Sequence, residues 1–252
     1  MLRIILSGCH GKMGKVLQSM IAAKEEMTVV AGIDQNTDLP SDFPVYAQLA
    51  QVKETADVVI DFSHFSAVAQ LVNDAKALHL PVVVATTGLT PDIQTTIDQA
   101  SEEIAIFQSA NMSLGINVLI KALQAVTPIL EKDYDIEMIE KHHNQKKDAP
   151  SGTALLLADS INKVCQEKKE YIYDRTPKDE ARKTSELGIS VVRGGTIPGE
   201  HIVIYAGEDE ILEFKHTALS RNIFAKGALE AAEFLAKQPS GKYNMADLVN
   251  QN

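Results

Sequence analysis

The sequence predicts an α/β fold in two parts: a doubly wound parallel sheet, then a second α+β domain with a mixed or antiparallel sheet. Three observations carry that prediction. Over the first hundred or so residues, short apolar runs alternate with helix-length segments. Runs such as Val58-Val59-Ile60 and Val82-Val83-Val84 are apolar without alternation, as strands covered on both faces are. Beyond residue 112 the order changes, and three strand runs follow one another closely. Strand–helix alternation yields a parallel sheet with right-handed crossovers, whereas close strands joined by turns favour antiparallel pairing.

In chain order, the first five strands are predicted at 2–7, 28–34, 57–62, 81–85 and 104–107, with helices at 11–25, 66–78 and 91–102 between them. A long helix follows at 114–131, then a strand at 136–139 that leads into the polar segment Glu140-Lys-His-His-Asn-Gln-Lys-Lys-Asp148. Residues 154–164 read as an amphipathic helix, and 167–186 as a charged surface excursion without a strong period. The three close strands are 188–193, 201–206 and 211–216, separated by Pro198-Gly199 and Gly207-Glu-Asp-Glu210. A helix at 224–237 and a tail at 242–249 complete the chain. The 252 residues amount to about 1.7 domains. The boundary is expected near residue 112, giving one domain of 1–112 completed by 220–252 and another of 113–219.

Composition removes several functional classes. With 24 Lys and Arg against 34 Asp and Glu, the net charge is −10, which argues against nucleic acid and other polyanions. The absence of Trp and 5% aromatics weaken single-strand binding further. No run reaches the ~18 apolar residues of a membrane helix, and MLRIILSG has no cleavage site of a secretory leader. Two cysteines make no disulfide framework and read as free thiols in a reducing compartment. A globular, cytoplasmic chain is expected.

Gly8-Cys-His-Gly11-Lys-Met-Gly14 follows the first strand and opens a helix. Glycines at such a turn let backbone N–H groups approach a pyrophosphate, and the helix N-terminus adds partial positive charge. The spacing is G-x-x-G-x-x-G and not the commoner G-x-G-x-x-G. The order strand, loop, helix, strand and then Asp34, 20 residues past Gly14, makes the first sheet Rossmann-like. The acid would hydrogen-bond the adenosine ribose. Its carboxylate would repel a 2′-phosphate, and Gln35 and Asn36 supply no compensating charge, so NADH is preferred and NADPH remains open. The loops Phe62-Ser63, Thr86-Thr87-Gly88 and Ser109-Ala110-Asn111-Met112, at the ends of parallel strands, should line the same crevice.

The second signal is a local reversal of sign. Lys141-His142-His143-Asn144-Gln145-Lys146-Lys147 packs three lysines and two histidines into seven residues. A metal site is disfavoured, because adjacent histidines diverge and no H-E-x-x-H or Cys partner is present. Asp148-Ala-Pro-Ser-Gly-Thr153 then opens a helix, with Ser151 as N-cap and Gly152 and Thr153 offering first-turn N–H groups. Lysines, histidines and a helix N-terminus suit an anionic substrate, a small dicarboxylate. Histidine and lysine also donate protons near neutral pH, the complement of a hydride in reducing a polarised C=C or C=N bond.

On these residues the chain resembles the 4-hydroxy-tetrahydrodipicolinate reductase (dihydrodipicolinate reductase) family. The likeness runs through Gly8-x-x-Gly11-x-Met13-Gly14, Asp61-Phe62-Ser63, Thr86-Thr87-Gly88 and Ala110-Asn111. It is most specific at Glu140-x-His142-His143-x-x-Lys146-x-Asp148-Ala149-Pro150-Ser151-Gly152-Thr153-Ala154, and continues through Arg193-Gly194-Gly195-x-x-Pro198-Gly199-x-His201, His216 and Arg221. The resemblance implies NAD(P)H-dependent reduction of the dehydrated cyclic imine to tetrahydrodipicolinate in lysine and diaminopimelate synthesis. It makes His142 and Lys146 the acid/base pair, and His143, Lys146, Ser151, Gly152 and Thr153 the substrate contacts. Cofactor contacts fall to Gly8, Cys9, His10, Gly11, Lys12, Met13, Asp34, Ala85, Thr86, Thr87, Ser109, Ala110, Asn111 and Met112. The first domain would bind the dinucleotide, and the second would bind substrate and build a homotetramer through its sheet. Relatives often carry Arg after the ribose-binding acid, where this chain has Gln35. The alternatives weighed are another two-domain NAD-dependent oxidoreductase, such as an aspartate-dehydrogenase-like enzyme, and a non-enzymatic dinucleotide sensor. Retention of His142 and Lys146 argues against the sensor.

Overall fold

The computed structural model describes residues 1–251 and divides into two compact units, Met1–Ser113 with Asn222–Asn252 and Leu114–Arg221.

The first unit is built on a seven-stranded parallel sheet. Its members are β1 (Leu2–Ser7), β2 (Met27–Ile33), β3 (Val45–Tyr46), β4 (Val58–Asp61), β5 (Val82–Val84), β6 (Ala105–Gln108) and β12 (Gly241–Tyr243), in the spatial order β12-β6-β5-β4-β1-β2-β3. Helices α1 (Lys12–Ala22), α2 (Phe65–Ala77), α3 (Pro91–Ala100), α6 (Asn222–Leu235) and the short α7 (Met245–Asn250) belong to this unit. Val58, Val59, Ile60, Val82 and Val83 are all 0% exposed, as expected of strands covered on both faces. The chain leaves β1 toward β2 on one side and reaches β4 on the other. That reversal of direction opens a crevice at the carboxyl ends of β1 and β4, where open α/β sheets bind ligands. The short strands β3 (Val-Tyr) and β12 (Gly-Lys-Tyr) lack the apolar run that marks the equally short β5, and the sequence does not signal them. The 242–249 tail becomes β12 and α7, capped by Asn244.

The second unit carries a five-stranded mixed sheet of β7 (Asp135–His142), β8 (Glu170–Ile172), β9 (Glu186–Arg193), β10 (Gly199–Ala206) and β11 (Ile211–Ala218), ordered β11-β10-β7-β9-β8. β10 runs antiparallel to β7 and β11, while β9 runs parallel to β7 and β8. Helices α4 (Leu114–Leu130) and α5 (Gly152–Asn162) contribute Leu123, Ala154, Leu157 and Ile161 to a core with Ile136, Met138, Val203 and Tyr205.

Two expectations are corrected here. The strand predicted to end at Ile139 continues through His142, because Glu140 and His142 keep the alternate-residue burial pattern of Ile136 and Met138. The 167–186 excursion also contains a strand, β8, and is tied down by ions. Arg175 and Lys178 both pair with the buried Glu186, and Arg182 pairs with Glu137 and Asp135. No helix among the described residues is long and apolar enough to cross a membrane.

Candidate active site

In the first unit the glycine loop is held by close backbone packing. Gly8 has φ +76°, a left-handed conformation that favours glycine, and a Cβ there would lie 2.6 Å from the Phe62 carbonyl oxygen. A Cβ on Gly14 would lie 2.3 Å from the Gly8 carbonyl oxygen and 2.4 Å from that of Cys9. Gly8 and Cys9 N–H donate to the Ile33 carbonyl, and Gly11 N–H donates to that of Gly8. Gly11 caps α1 without a side-chain bond, so the donors left for a ligand are those of the first helical turn, Lys12 and Met13.

Asp34 stands just past β2. Its Oδ2 accepts from His10 N–H at 3.1 Å and its Oδ1 from Asn36 N–H at 3.1 Å. His10 Nε2 is buried and makes no hydrogen bond. Cys9 is turned away from this loop surface. Its side chain is 0% exposed, and a Cβ on Gly32 would lie 2.7 Å from its Sγ. Burial, reinforced by the Asp34 charge, pushes the Cys9 thiol up to about 11, so it stays protonated and unreactive.

The neighbouring strand ends are organised by a residue quoted in the motif without a role. Asp61 is 0% exposed, and its carboxylate accepts from Thr86 Oγ1 at 2.6 Å and from Ser63 N–H at 3.3 Å. Thr86, Thr87, Gln108, Ser109 and Ala110 line a cavity of 520 Å³. Ala85, Asn111 and Met112 are buried and lie outside that lining, Asn111 Oδ1 accepting from Ser113 N–H.

In the second unit the ends of β7, β9 and β10 meet the N-terminus of α5. Glu140 and His142, two residues apart on β7, face the same side, and Glu140 Oε2 and His142 Nδ1 share a hydrogen bond at 2.6 Å. Arg193 Nη1 and Nη2 donate to Glu140 at 2.8 and 2.7 Å in a two-pronged clamp, and Nη2 also donates to the Asp148 carbonyl at 2.7 Å. Burial, the strongest influence on His142, lowers its pKa against the opposing pull of Glu140. His201 packs edge-on against His142, with ring centres 5.2 Å apart. Burial, with His142 adding, pushes His201 down to about 4, so it is neutral at physiological pH.

The predicted contacts separate here. Lys146 Nζ lies 2.8 Å from Asp148 Oδ1, and His143 lines a 420 Å³ cavity with Gly195, Thr196 and Arg221. Gly152 opens α5 with free space beside it. Ser151, expected to touch substrate, is turned inward instead. It is 1% exposed, its Oγ accepts from Ala154 N–H and bonds His201 Nε2, and its own N–H donates to Glu140. The basic run also divides. Strand alternation sends Lys141 to the face opposite His142, where it pairs with Glu200 at 2.6 Å.

The family model described as dihydrodipicolinate reductase, N-terminus, matches residues 2–112, and the corresponding C-terminus model matches 115–249. The chain belongs to the dihydrodipicolinate reductase family. It is 55% identical over 251 residues to the 4-hydroxy-tetrahydrodipicolinate reductase of Caldanaerobacter subterraneus, covering 100% of this chain and 99% of the relative. The Clostridium tetani enzyme of that name is 46% identical over 250 residues, covering 99% and 98%. In fold, the chain is similar to dipicolinate-bound dihydrodipicolinate reductase from Paenisporosarcina sp. TG-14, with a TM-score of 0.82, 22% identity and 97% coverage of each chain. It is more loosely similar to C. glutamicum DAP dehydrogenase in complex with DAP, with a TM-score of 0.58, 14% identity and coverage of 98% and 93%.

Membership makes the chain an NAD(P)H-dependent oxidoreductase of lysine and diaminopimelate biosynthesis, and decides against the aspartate-dehydrogenase-like alternative. Beyond the dihydrodipicolinate reductase motif itself, the sequence reading assigned no role to Glu140, Arg193, His201 or Asp61. The spacing Glu140-x-His142 held a usable signal, since two residues apart on a strand share a face. Arg193 left none, because its place opposite His142 depends on which strands become neighbours.

Proposed function

We propose that the second unit binds the cyclic, doubly carboxylated substrate at the α5 N-terminus and the end of β7, and that His142 and Lys146 supply the proton for its reduction. The carrying observation is the convergence, in one unit, of the α5 N-terminus at Gly152, the Lys146 side chain that meets it through Asp148, and a histidine bonded to a buried carboxylate. Backbone N–H groups at a helix start and a lysine suit carboxylates. His143 and Lys146 hold one carboxylate and Gly152 and Thr153 the other, with Ser151 holding that helix terminus in place. Overall, the 4-hydroxy-tetrahydrodipicolinate substrate loses water, and one hydride and one proton add to the resulting conjugated imine.

For the nucleotide the fit rests on the tight Gly8–Gly14 turn, whose glycines let the backbone of the loop and of α1 close on itself, and on the orphaned His10 Nε2. Gly8, Cys9, His10 and Gly11 shape the loop, Lys12 and Met13 offer N–H donors to the pyrophosphate, and Asp34 takes the ribose hydroxyls. Thr86, Thr87, Ser109 and Ala110 line the nicotinamide end, backed by Ala85, Asn111 and Met112. When bound, the dihydronicotinamide supplies the hydride.

NADH is the favoured nucleotide, because Asp34 stands beside the ribose and Gln35 brings no cation to a 2′-phosphate. A coupled assay on the upstream synthase product, following NADH and NADPH oxidation separately, tests both readings. Turnover with NADH well above NADPH is expected, and Gln35→Arg should raise kcat/KM for NADPH. A wild-type preference for NADPH would remove the charge argument, and no turnover with either would remove the substrate assignment. We further place the enzyme in the cytoplasm, in keeping with its two free cysteines, and as a homotetramer joined through the second sheet. The face carrying Ile139, Ile202 and Ile204 is half-buried, and Val192 on it is 42% exposed, which supports that assembly.

A further inference from the structure

A proton donor works from one defined atom, and the carboxylate beside His142 determines which. Glu140 is 0% exposed, and each of its oxygens makes two hydrogen bonds. Oε1 accepts from Arg193 Nη2 at 2.7 Å and Ser151 N–H at 2.9 Å, and Oε2 accepts from Arg193 Nη1 at 2.8 Å and shares a hydrogen bond with His142 Nδ1 at 2.6 Å. The guanidinium and the backbone amide can only donate, so three of the four positions around the carboxyl are closed to a proton, and the fourth faces His142 Nδ1. Burial is the largest influence and pushes the Glu140 pKa up, but the hydrogen bonds from Arg193, His142 and Ser151 bring it below the usual carboxylate range.

An ionised carboxylate can only accept. His142 therefore carries a hydrogen on Nδ1 in both of its charge states, and only Nε2 titrates. Nε2 looks toward Gly199, where a Cβ would lie 3.1 Å away, so the glycine leaves room on that side. The register pairing His142 with Arg193 on β9 sets the clamp, and Arg193's further bond to the Asp148 carbonyl ties in the loop that bears Lys146.

We propose that Glu140, clamped by Arg193, is a positioning residue that fixes His142 as its Nδ1–H tautomer and thereby makes Nε2 the atom that delivers the proton. The inference rests on the reading of His142 as proton donor. In the step, the imidazolium Nε2–H bond breaks as the substrate gains that proton. The electron pair stays on Nε2, and neutral Nδ1–H histidine is reprotonated from solvent.

The test combines imidazole ¹⁵N NMR with kinetics on the wild type, Glu140→Gln and His142→Ala, the last also identifying the His142 signals by their loss. Above its pKa, wild-type His142 should show a protonated Nδ1 and a bare Nε2. An amide at 140 offers one acceptor oxygen and an NH₂, so it cannot accept all four bonds. With the NH₂ toward His142, the proton moves to Nε2.

Glu140→Gln should then lower kcat on the order of 10²-fold, the scale of general acid catalysis, with substrate KM and NADH affinity unchanged. It should also move the alkaline limb of kcat/KM to lower pH. The charge favouring imidazolium is gone, while Arg193 and Lys146 favour the neutral form and His201, itself neutral, adds no charge.

A bare Nδ1 in neutral wild-type His142 overturns the proposal without any variant. So does Glu140→Gln with wild-type kcat. A variant that loses only thermal stability, with Nδ1–H and the pH limb unmoved, makes the clamp a structural ion pair and likewise overturns it. If His142→Ala keeps full turnover, the reading of His142 itself falls. Collapse of His142→Ala beside an unaffected Glu140→Gln removes this inference alone.

Discussion

Replacing His142 or Lys146 by alanine is expected to lower turnover with the cyclic substrate by about 10²-fold or more, the usual contribution of a positioned proton donor. NADH affinity, read by fluorescence titration, should stay at the wild-type value. Both residues lie in the unit Leu114–Arg221, whereas the glycine cradle and Asp34 lie in the other. Near-normal turnover in both variants would sink the assignment.

The pH dependence sharpens the expectation. Burial holds the His142 pKa below the ordinary histidine range, so the acid form is present below that lowered pKa and lost as pH rises through it. The alkaline limb of kcat/KM, which reports the free enzyme, should therefore lie below that of an ordinary histidine. The limb of kcat should lie higher, because two substrate carboxylates stabilise the imidazolium in the complex. His142→Ala should abolish both limbs.

The other large effect is expected at Gly14. As a helix residue it would gain about 1 kcal/mol from replacement by alanine on propensity alone. The structure reverses that sign. The added Cβ would sit 2.3 and 2.4 Å from two backbone carbonyl oxygens, and backbone cannot swing aside as a flexible side chain does. Either the loop carrying Gly8 and Cys9 or the start of α1 must shift by about an ångström, moving the Lys12 and Met13 donors from where the pyrophosphate is proposed to bind. Displacement on that scale costs on the order of 10²-fold in kcat/KM. NADH titration together with steady-state kinetics checks it, and circular dichroism confirms the fold. Wild-type NADH affinity in Gly14→Ala would show that these donors do not hold the nucleotide.

Much of this was legible in the chain. Parallel strands buried on both faces leave uninterrupted apolar runs, so β1, β4 and β5 could be read within a residue or two of their ends. The glycine loop and the acid after β2 are local features, and the α5 start carries its cap in sequence. The end of β7 is not legible, because Glu140-Lys-His-His looks polar. Only burial at the end of a sheet shows that Glu140 and His142 are inward-facing strand residues while Lys141 points the other way. Ser151 was legible as an N-cap, but nothing local signalled that its hydroxyl also meets His201, 50 residues later.

By itself the sequence determined the order of elements, the dinucleotide-type loop, the basic segment and the family, because each depends on neighbours within a few residues. Which strands lie side by side is set by non-local burial, and that decided the chemistry of the second unit. The register of β7 against β9 brings Arg193 to Glu140 across 53 residues, and β10 brings His201 beside His142. A carboxylate excluded from water stays ionised only with such partners, so the group that orients His142 exists only in the folded chain.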